Sequence, residues 1–290
     1  MYKRNWKEYN RKLIKRGEFL INPSFLETWE EEIREMNKGK VGQPYLYPNS
    51  MIEFVAYFHC RGFDYRTCEG ILRGLSKCMG ISFPVISYTQ ICRRVNKLNI
   101  DFKRVERNLV VAVDGSGIKV TNRGEWIRKK WKERRGWIKV VIMGSVDGKV
   151  VDIRVGNENL DERRAGRSMI RKNHEKVKKV MGDALHDCKE TFNLCEKYGI
   201  ETAIKIRKDA STRSRGSPRR RREVREYKKL GYREWAKQKG YGMRWLASEG
   251  IFSAYKRMFG ETVSAKKKRN MYHEVRLRFY FYNRLKEIVD

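Results

Sequence analysis

The sequence predicts an α/β domain, a mixed β-sheet with flanking helices, preceded by an all-α N-terminal domain. Three observations predict it. Residues 1–105 carry helical apolar periodicity. Apolar strand patterns begin only after Asn108. From there the segments run strand, strand, strand, helix, strand, helix, strand, helix. The division falls at 1–105 and 106–290, and the second part carries a basic insertion at about 207–240.

In chain order, residues 5–20 predict a helix ending near Gly17. Residues 24–37 predict a second, with Ser24 and Glu27 at capping-box spacing. Residues 38–50 are rich in Gly, Pro and Asn and read as a loop. Helical periodicity resumes over Met51–Cys60 and Tyr65–Cys78, and a turn follows around Gly80–Pro84. The next helix spans Tyr88 to Leu98, with Ser87 and Gln90 as a second capping box. A helix, a turn and a capped helix bearing Arg93, Arg94 and Lys97 fit a helix-turn-helix, in which those side chains face DNA. They fit equally a helical hairpin with a solvated basic face.

The second part opens on Leu109–Val113, an apolar run that ends in Asp114-Gly115. Trp137–Val146 is a second strand, Asp147-Gly148 a hairpin turn, and Val150–Val155 a third strand. Residues 160–173 form a helix. Val177–Met181 is a fourth strand ending at Gly182-Asp183, and His186–Tyr198 a helix. Thr202–Ile206 is a fifth strand, and a long helix runs from Trp245 to Phe259. Three antiparallel strands followed by alternating helices and strands is the element order of an RNase H-like core.

Charge narrows the function. Lys and Arg number 67 against 35 Asp and Glu, a net charge of +32. Self-repulsion at that level opposes a compact state unless polyanions screen it, which points to nucleic acid. Residues 1–100 carry only +7 of this charge. Within the rest, 207–240 holds 14 basic and 4 acidic residues, and 123–139 holds 8 and 2. Four consecutive arginines, Arg219, Arg220, Arg221 and Arg222, read as phosphate contacts or as a solvated loop. In 123–139, Lys129 and Lys130 lie among Trp126, Trp131 and Trp137, indoles suited to stacking on unpaired bases. Trp137, on a strand, also reads as core. The apolar fraction of 40% excludes wholesale disorder. No membrane-length apolar run or signal sequence is present, so the expected location is cytoplasmic and nucleoid-associated. Six cysteines without a C-x-x-C pair read as reduced core thiols, and His59, Cys60 and Cys68 fit no usual zinc spacing.

Two acids stand on apolar strands, Asp114 at the end or middle of one and Asp183 just past another, where an uncompensated charge is costly. Each also reads locally, Asp114 as a turn cap and Asp183 as a helix N-cap. Glu249 lies on a helix. Converging, the three carboxylates would suit two Mg²⁺ ions, with Mn²⁺ as a substitute, in phosphodiester chemistry.

The motifs Val-Asp-Gly-Ser (113–116), Gly-Asp-Ala (182–184) and Arg-Trp…Glu-Gly-Ile-Phe-Ser…Lys-Arg (244–257) occur in that order. Upstream lie Tyr-Asn-Arg-Lys-Leu-Ile-Lys-Arg-Gly-Glu (9–18) and Gly-Lys-Val-Gly-Gln-Pro-Tyr (39–45). Together they resemble the DDE transposases of insertion sequences, group five of the group-four-like superfamily, over most of the chain. The resemblance implies an RNase H-like catalytic core with Asp114, Asp183 and Glu249 as catalytic and metal-binding residues. It implies binding to terminal inverted repeats, cleavage of DNA ends and joining of 3′-OH ends to target DNA, with a homodimer in the DNA complex. An RNase H-like nuclease or resolvase, and a non-catalytic DNA-binding descendant of a transposase, are the alternatives.

The family's third motif is Tyr-x2-Arg-x3-Glu-x6-Lys, and Tyr241, Arg244, Glu249 and Lys256 match it except that Arg244 to Glu249 is one residue too long. On a continuous helix Lys256 lies about 20° from Glu249, whereas Arg244 lies about 140° away. Either the helix starts after Arg244, a bulge restores the face, or Arg244 has lost the family role.

Overall fold

A computed structural model of the chain describes residues 5–20, 22–102, 106–120, 136–213 and 216–288. The backbone forms two compact units, Met1–Asp101 with Ala265–Asp290, and Phe102–Ser264. Residues 265–290, grouped with the second domain on sequence, thus belong with the first. The helix Lys268–Glu287 supplies the reason: it buries Val275, Leu277, Phe279, Phe281 and Tyr282. Phe281 meets Tyr57 ring to ring at 5.2 Å, and Tyr280 donates its hydroxyl to Glu53.

The first unit is otherwise built from α1 (Trp6–Leu20), α2 (Trp29–Asn37), α3 (Asn49–Cys60), α4 (Tyr65–Met79) and α5 (Tyr88–Val95). Neither expected capping box forms. Ser24 opens a 3₁₀ turn, Ser24–Leu26, and takes Asn22 Oδ1 on its own amide, so α2 starts only at Trp29. Ser87 makes no cap bond; the Glu69 carboxylate on α4 accepts the Tyr88 amide at 2.7 Å instead. A residue from a neighbouring helix has taken the local cap's place. Asp64 does cap α4, accepting from Arg66 and Thr67 at 2.8 and 3.1 Å. Residues 80–87 separate α4 from α5, a longer connection than the three- or four-residue turn of a helix-turn-helix.

The second unit holds β1 (Leu109–Lys119), β2 (Trp137–Ser145), β3 (Val150–Asn157), α6 (Glu162–Asn173), β4 (Val177–Gly182), α7 (Lys189–Lys197), β5 (Glu201–Ile204), α8 (Pro218–Gln238), α9 (Arg244–Ala247) and α10 (Glu249–Phe259). The five strands make one mixed sheet in the order β3-β2-β1-β4-β5. β1 and β2, and β2 and β3, pair antiparallel; β4 runs parallel to β1, and β5 to β4. This is the RNase H-like arrangement expected from element order.

Alternation along β1 assigns its faces. Leu109, Val111 and Val113 join Ala165, Met169 and Ile170 of α6 and Leu194 and Cys195 of α7 in one core. Ala112 belongs to another, with Trp235, Tyr241 and Ala247. Asp114, two residues past Ala112, therefore looks toward the face that carries α9. Backbone approaches closest there at Gly144 on β2, where an added Cβ would overlap the Ala247 carbonyl oxygen. Gly144→Ala should destabilise the protein by about 1–3 kcal/mol in urea unfolding, because the neighbour is backbone and cannot swing aside. An unchanged midpoint would contradict this close packing.

Candidate active site

Sheet register brings the first two acids together. Val113 pairs with Gly182 across the parallel β1–β4 ladder, so Asp114 and Asp183 follow directly from adjacent strand positions. The N-cap reading of Asp183 is realised, whereas Asp114 lies within β1, paired with Ile142, rather than capping a turn. Asp114 Oδ1 accepts the Gly115 amide at 2.9 Å, and Asp183 N-caps a 3₁₀ turn, Ala184–His186, through the Leu185 amide at 2.9 Å. Backbone bonds of this kind fix the carboxylates' directions without consuming their remaining lone pairs.

The third acid arrives through a broken helix. The expected continuous helix from Trp245 to Phe259 is interrupted at Ser248, whose backbone (φ −136°, ψ −85°) is not helical. Arg244 therefore sits on the short α9, and Glu249 starts α10. This resolves the extra residue in the spacing. The break turns the Arg244 guanidinium back onto Glu249, donating Nη2 to Oε1, while Nη1 lies 3.4 Å from Asp114 Oδ2. One cation thus bridges two of the three acids. Tyr241 completes the corner: its hydroxyl donates to the Gly182 carbonyl at 3.2 Å, and its ring lies 5.8 Å from the Arg244 guanidinium carbon.

The electrostatics follow from this crowding. Burial raises the Asp114 carboxyl pKa; the Gly115 amide and Arg244 oppose the rise, and Asp183 and Glu249 add to it. Burial works against the charge on Arg244, but Tyr241, Asp114 and Glu249 outweigh it, and its pKa is raised. Burial pushes the Tyr241 hydroxyl up to about 12, so it remains a donor.

A fourth acid, not singled out from the sequence, lies on the other side of β1. Glu162, at the start of α6, has a side chain only 11% exposed, 3.2 Å from Lys139 Nζ and 3.8 Å from His186 Nε2. Burial raises its pKa, Lys139 opposes, and Asp114 and Asp183 add to the rise. Burial likewise lowers the His186 pKa, keeping the imidazole neutral near pH 7. In the sequence Glu162 follows the N-cap Asp161 and looks like an ordinary first-turn acid.

The remaining predicted residues divide by environment. Lys256 is half-buried and pairs with Glu261 at 3.8 Å. Arg219–Arg222 form the first turn of α8, capped by Ser217. Arg219 donates to the Ile200 carbonyl, Arg220 grips the buried Asp187 with two bonds of 2.6 and 3.0 Å, and Arg222 pairs with Glu196 at 2.8 Å. Arg221 alone of the four is exposed with no side-chain partner among the described residues. In the first unit Arg94 donates to the Tyr47 carbonyl and to Asn49, whereas Arg93 and Lys97 are exposed. Trp137 is half-buried against Gly117. Lys129, Lys130, Trp126 and Trp131 lie outside the described residues.

The donor set at Asp114, Asp183 and Glu249 is all carboxylate oxygen, the chemistry that Mg²⁺ and Mn²⁺ prefer. Among the described residues no three such side chains already stand at ligation distance. At Asp114 and Glu249 the guanidinium of Arg244 takes the place of a counter-ion. No helix among the described residues is long and apolar enough to cross a membrane. Two family models, both described as transposase DDE domain, match the chain, one over residues 14–123 and the other over 106–284.

The arginine run gives a test that separates scaffold from surface. Arg220→Ser should cost about 3–5 kcal/mol in unfolding experiments, since it leaves Asp187 buried and unpaired. Arg221→Ser should leave the unfolding midpoint unchanged and, if Arg221 meets DNA, lower the salt slope of duplex binding by about 0.9. Equal effects of the two substitutions on stability would refute the distinction.

Proposed function

The chain belongs to the DDE transposases, and from that premise we propose that it is a Mg²⁺-dependent enzyme that binds terminal inverted repeats, cleaves DNA ends and joins 3′-OH ends to target DNA. The observation that supports the proposal is that the β1–β4 register sets Asp114 beside the strand end that leads into Asp183, while Arg244 joins Asp114 to Glu249. In this reading the three carboxylates hold two Mg²⁺ ions, for which Mn²⁺ substitutes. Such a pair, when bound, activates water or a 3′-hydroxyl and stabilises the leaving oxygen.

The chain's own residues do the rest. Arg244 offsets part of the charge of Asp114 and Glu249 before the ions enter, and is then free to meet a DNA phosphate. Tyr241 fixes Arg244 from below and ties that corner to the end of β4. Lys256, seven residues along α10 from Glu249, adds positive charge on the DNA side. Arg93 and Lys97, exposed around the end of α5, are the candidates for reading the repeat, and Arg94 holds their helix in place. Arg221, Lys129 and Lys130 contribute phosphate contacts. A homodimer brings two DNA ends together, and the protein works at the nucleoid in the cytoplasm.

The experiment uses duplex DNA taken from the sequences flanking the gene. With Mg²⁺ the protein should nick the duplex at the repeat end and join the freed 3′ end to a second duplex. Asp183→Asn should abolish both steps while duplex affinity stays within about twofold, because asparagine preserves the N-cap. Cleavage without joining would favour a nuclease or resolvase. Binding without cleavage would favour a non-catalytic descendant, and full activity of the Asp183→Asn protein would remove Asp183 from the site.

A further inference from the structure

Glu162 stands first in α6, where a carboxylate ordinarily just complements the helix dipole. Three features around it go beyond that role. The first is Gly115, beside Asp114: an added Cβ there would overlap Glu162 Oε2, so bare backbone makes room for the carboxylate. The second is His186, whose side chain is 4% exposed and whose Nε2 points at Glu162 Oε1 from 3.8 Å. That nitrogen has no hydrogen-bond partner among the described residues, and buried polar atoms are rarely left so. The third is Lys139, a 30% exposed cation 3.2 Å from Glu162 Oε2, placed where solvent or DNA can compete for it.

We propose that Glu162 is a fourth carboxylate of the divalent-cation site, acting with Asp114 and Asp183, and that Lys139 is the counter-ion it gives up when an ion binds. The inference rests on the two-ion reading of Asp114, Asp183 and Glu249. Asp114 and Gly115 face opposite sides of β1, so Glu162 approaches from the side opposite Glu249, and Asp183 at the end of β4 acts electrostatically on both Asp114 and Glu162. Four carboxylates balance the four positive charges of two divalent ions. Arg244 and Lys139 are then both released to meet phosphate. His186 backs the carboxylate as a positioning residue, with Gly166 and Gly182 leaving the space its ring fills.

The test measures Mn²⁺ binding to the full-length protein without DNA, following free Mn²⁺ by electron paramagnetic resonance. The wild type should bind two ions. Glu162→Gln should weaken at least one by about tenfold or more. Gly115→Ala removes no carboxylate but pushes that of Glu162 aside, and should weaken binding in the same direction. Urea unfolding establishes that each variant is folded. Wild-type binding by both variants, with loss in Asp114→Asn, would overturn the role of Glu162 and leave the two-ion reading standing. Wild-type binding by Asp114→Asn as well would overturn the two-ion reading itself, as would a wild type that binds no Mn²⁺.

Discussion

Carboxylates that share a partly dehydrated corner repel one another, and a fold that places them there must supply a cation. In this protein Arg244 supplies it, spanning Asp114 on the central strand and Glu249 at the start of α10. The arrangement around it follows from that bridge. Tyr241 lies under the guanidinium and is itself anchored to the Gly182 carbonyl, the last residue before Asp183. Strand, turn and broken helix are thus tied through one side chain.

The backbone makes the bridge possible in two places. Ser248 leaves helical geometry, which shortens the reach from Arg244 to Glu249 to what one guanidinium can span. Gly144 lets the Ala247 carbonyl settle onto β2, so that the break is packed down on the sheet. At the opposite face Gly115 does the same for the Glu162 carboxylate. Ser248, Gly144 and Gly115 therefore let separate parts of the chain approach one another, and the paired β1–β4 register brings the positions before Asp114 and Asp183 together. Positive charge divides accordingly between scaffold and surface. Arg94, Arg219 and Arg220 are occupied by partners within their own units, and Arg93, Lys97 and Arg221 are exposed.

Much of this was legible in the sequence. The five apolar runs, the Asp-Gly hairpin turn and their order led to the mixed sheet, and the spaced motifs led to the family that the comparisons support. Asp114 and Asp183 were readable because an acid directly after an apolar run stands out, although β1 continues past Asp114 to Lys119 and Asp183 follows the end of β4. The odd spacing before Glu249 was readable as an anomaly, with a later helix start or a bulge among its explanations, but spacing alone did not place the break at Ser248. The caps at Ser24 and Ser87 misled because a local rule lost to Asn22 and to Glu69 on another helix. The four arginines lie on a helix rather than in a loop, and Asp187, Glu196 and the Ile200 carbonyl, which hold three of them, lie upstream, where composition carries no trace of them. Glu162 and the Lys268–Glu287 helix were missed outright, one because it looks like a routine first-turn acid, the other because its apolar residues are interleaved with arginines.

The central claim is that Asp114, Asp183 and Glu249 form a divalent-cation site and that Arg244 offsets part of their charge until an ion binds. Crystals of the protein soaked in Mn²⁺, with anomalous diffraction recorded near the manganese edge, test it most directly. The account predicts anomalous peaks in contact with these carboxylates and an Arg244 guanidinium that no longer bridges Asp114 and Glu249. Manganese bound elsewhere, with Arg244 still across the two acids, would contradict it.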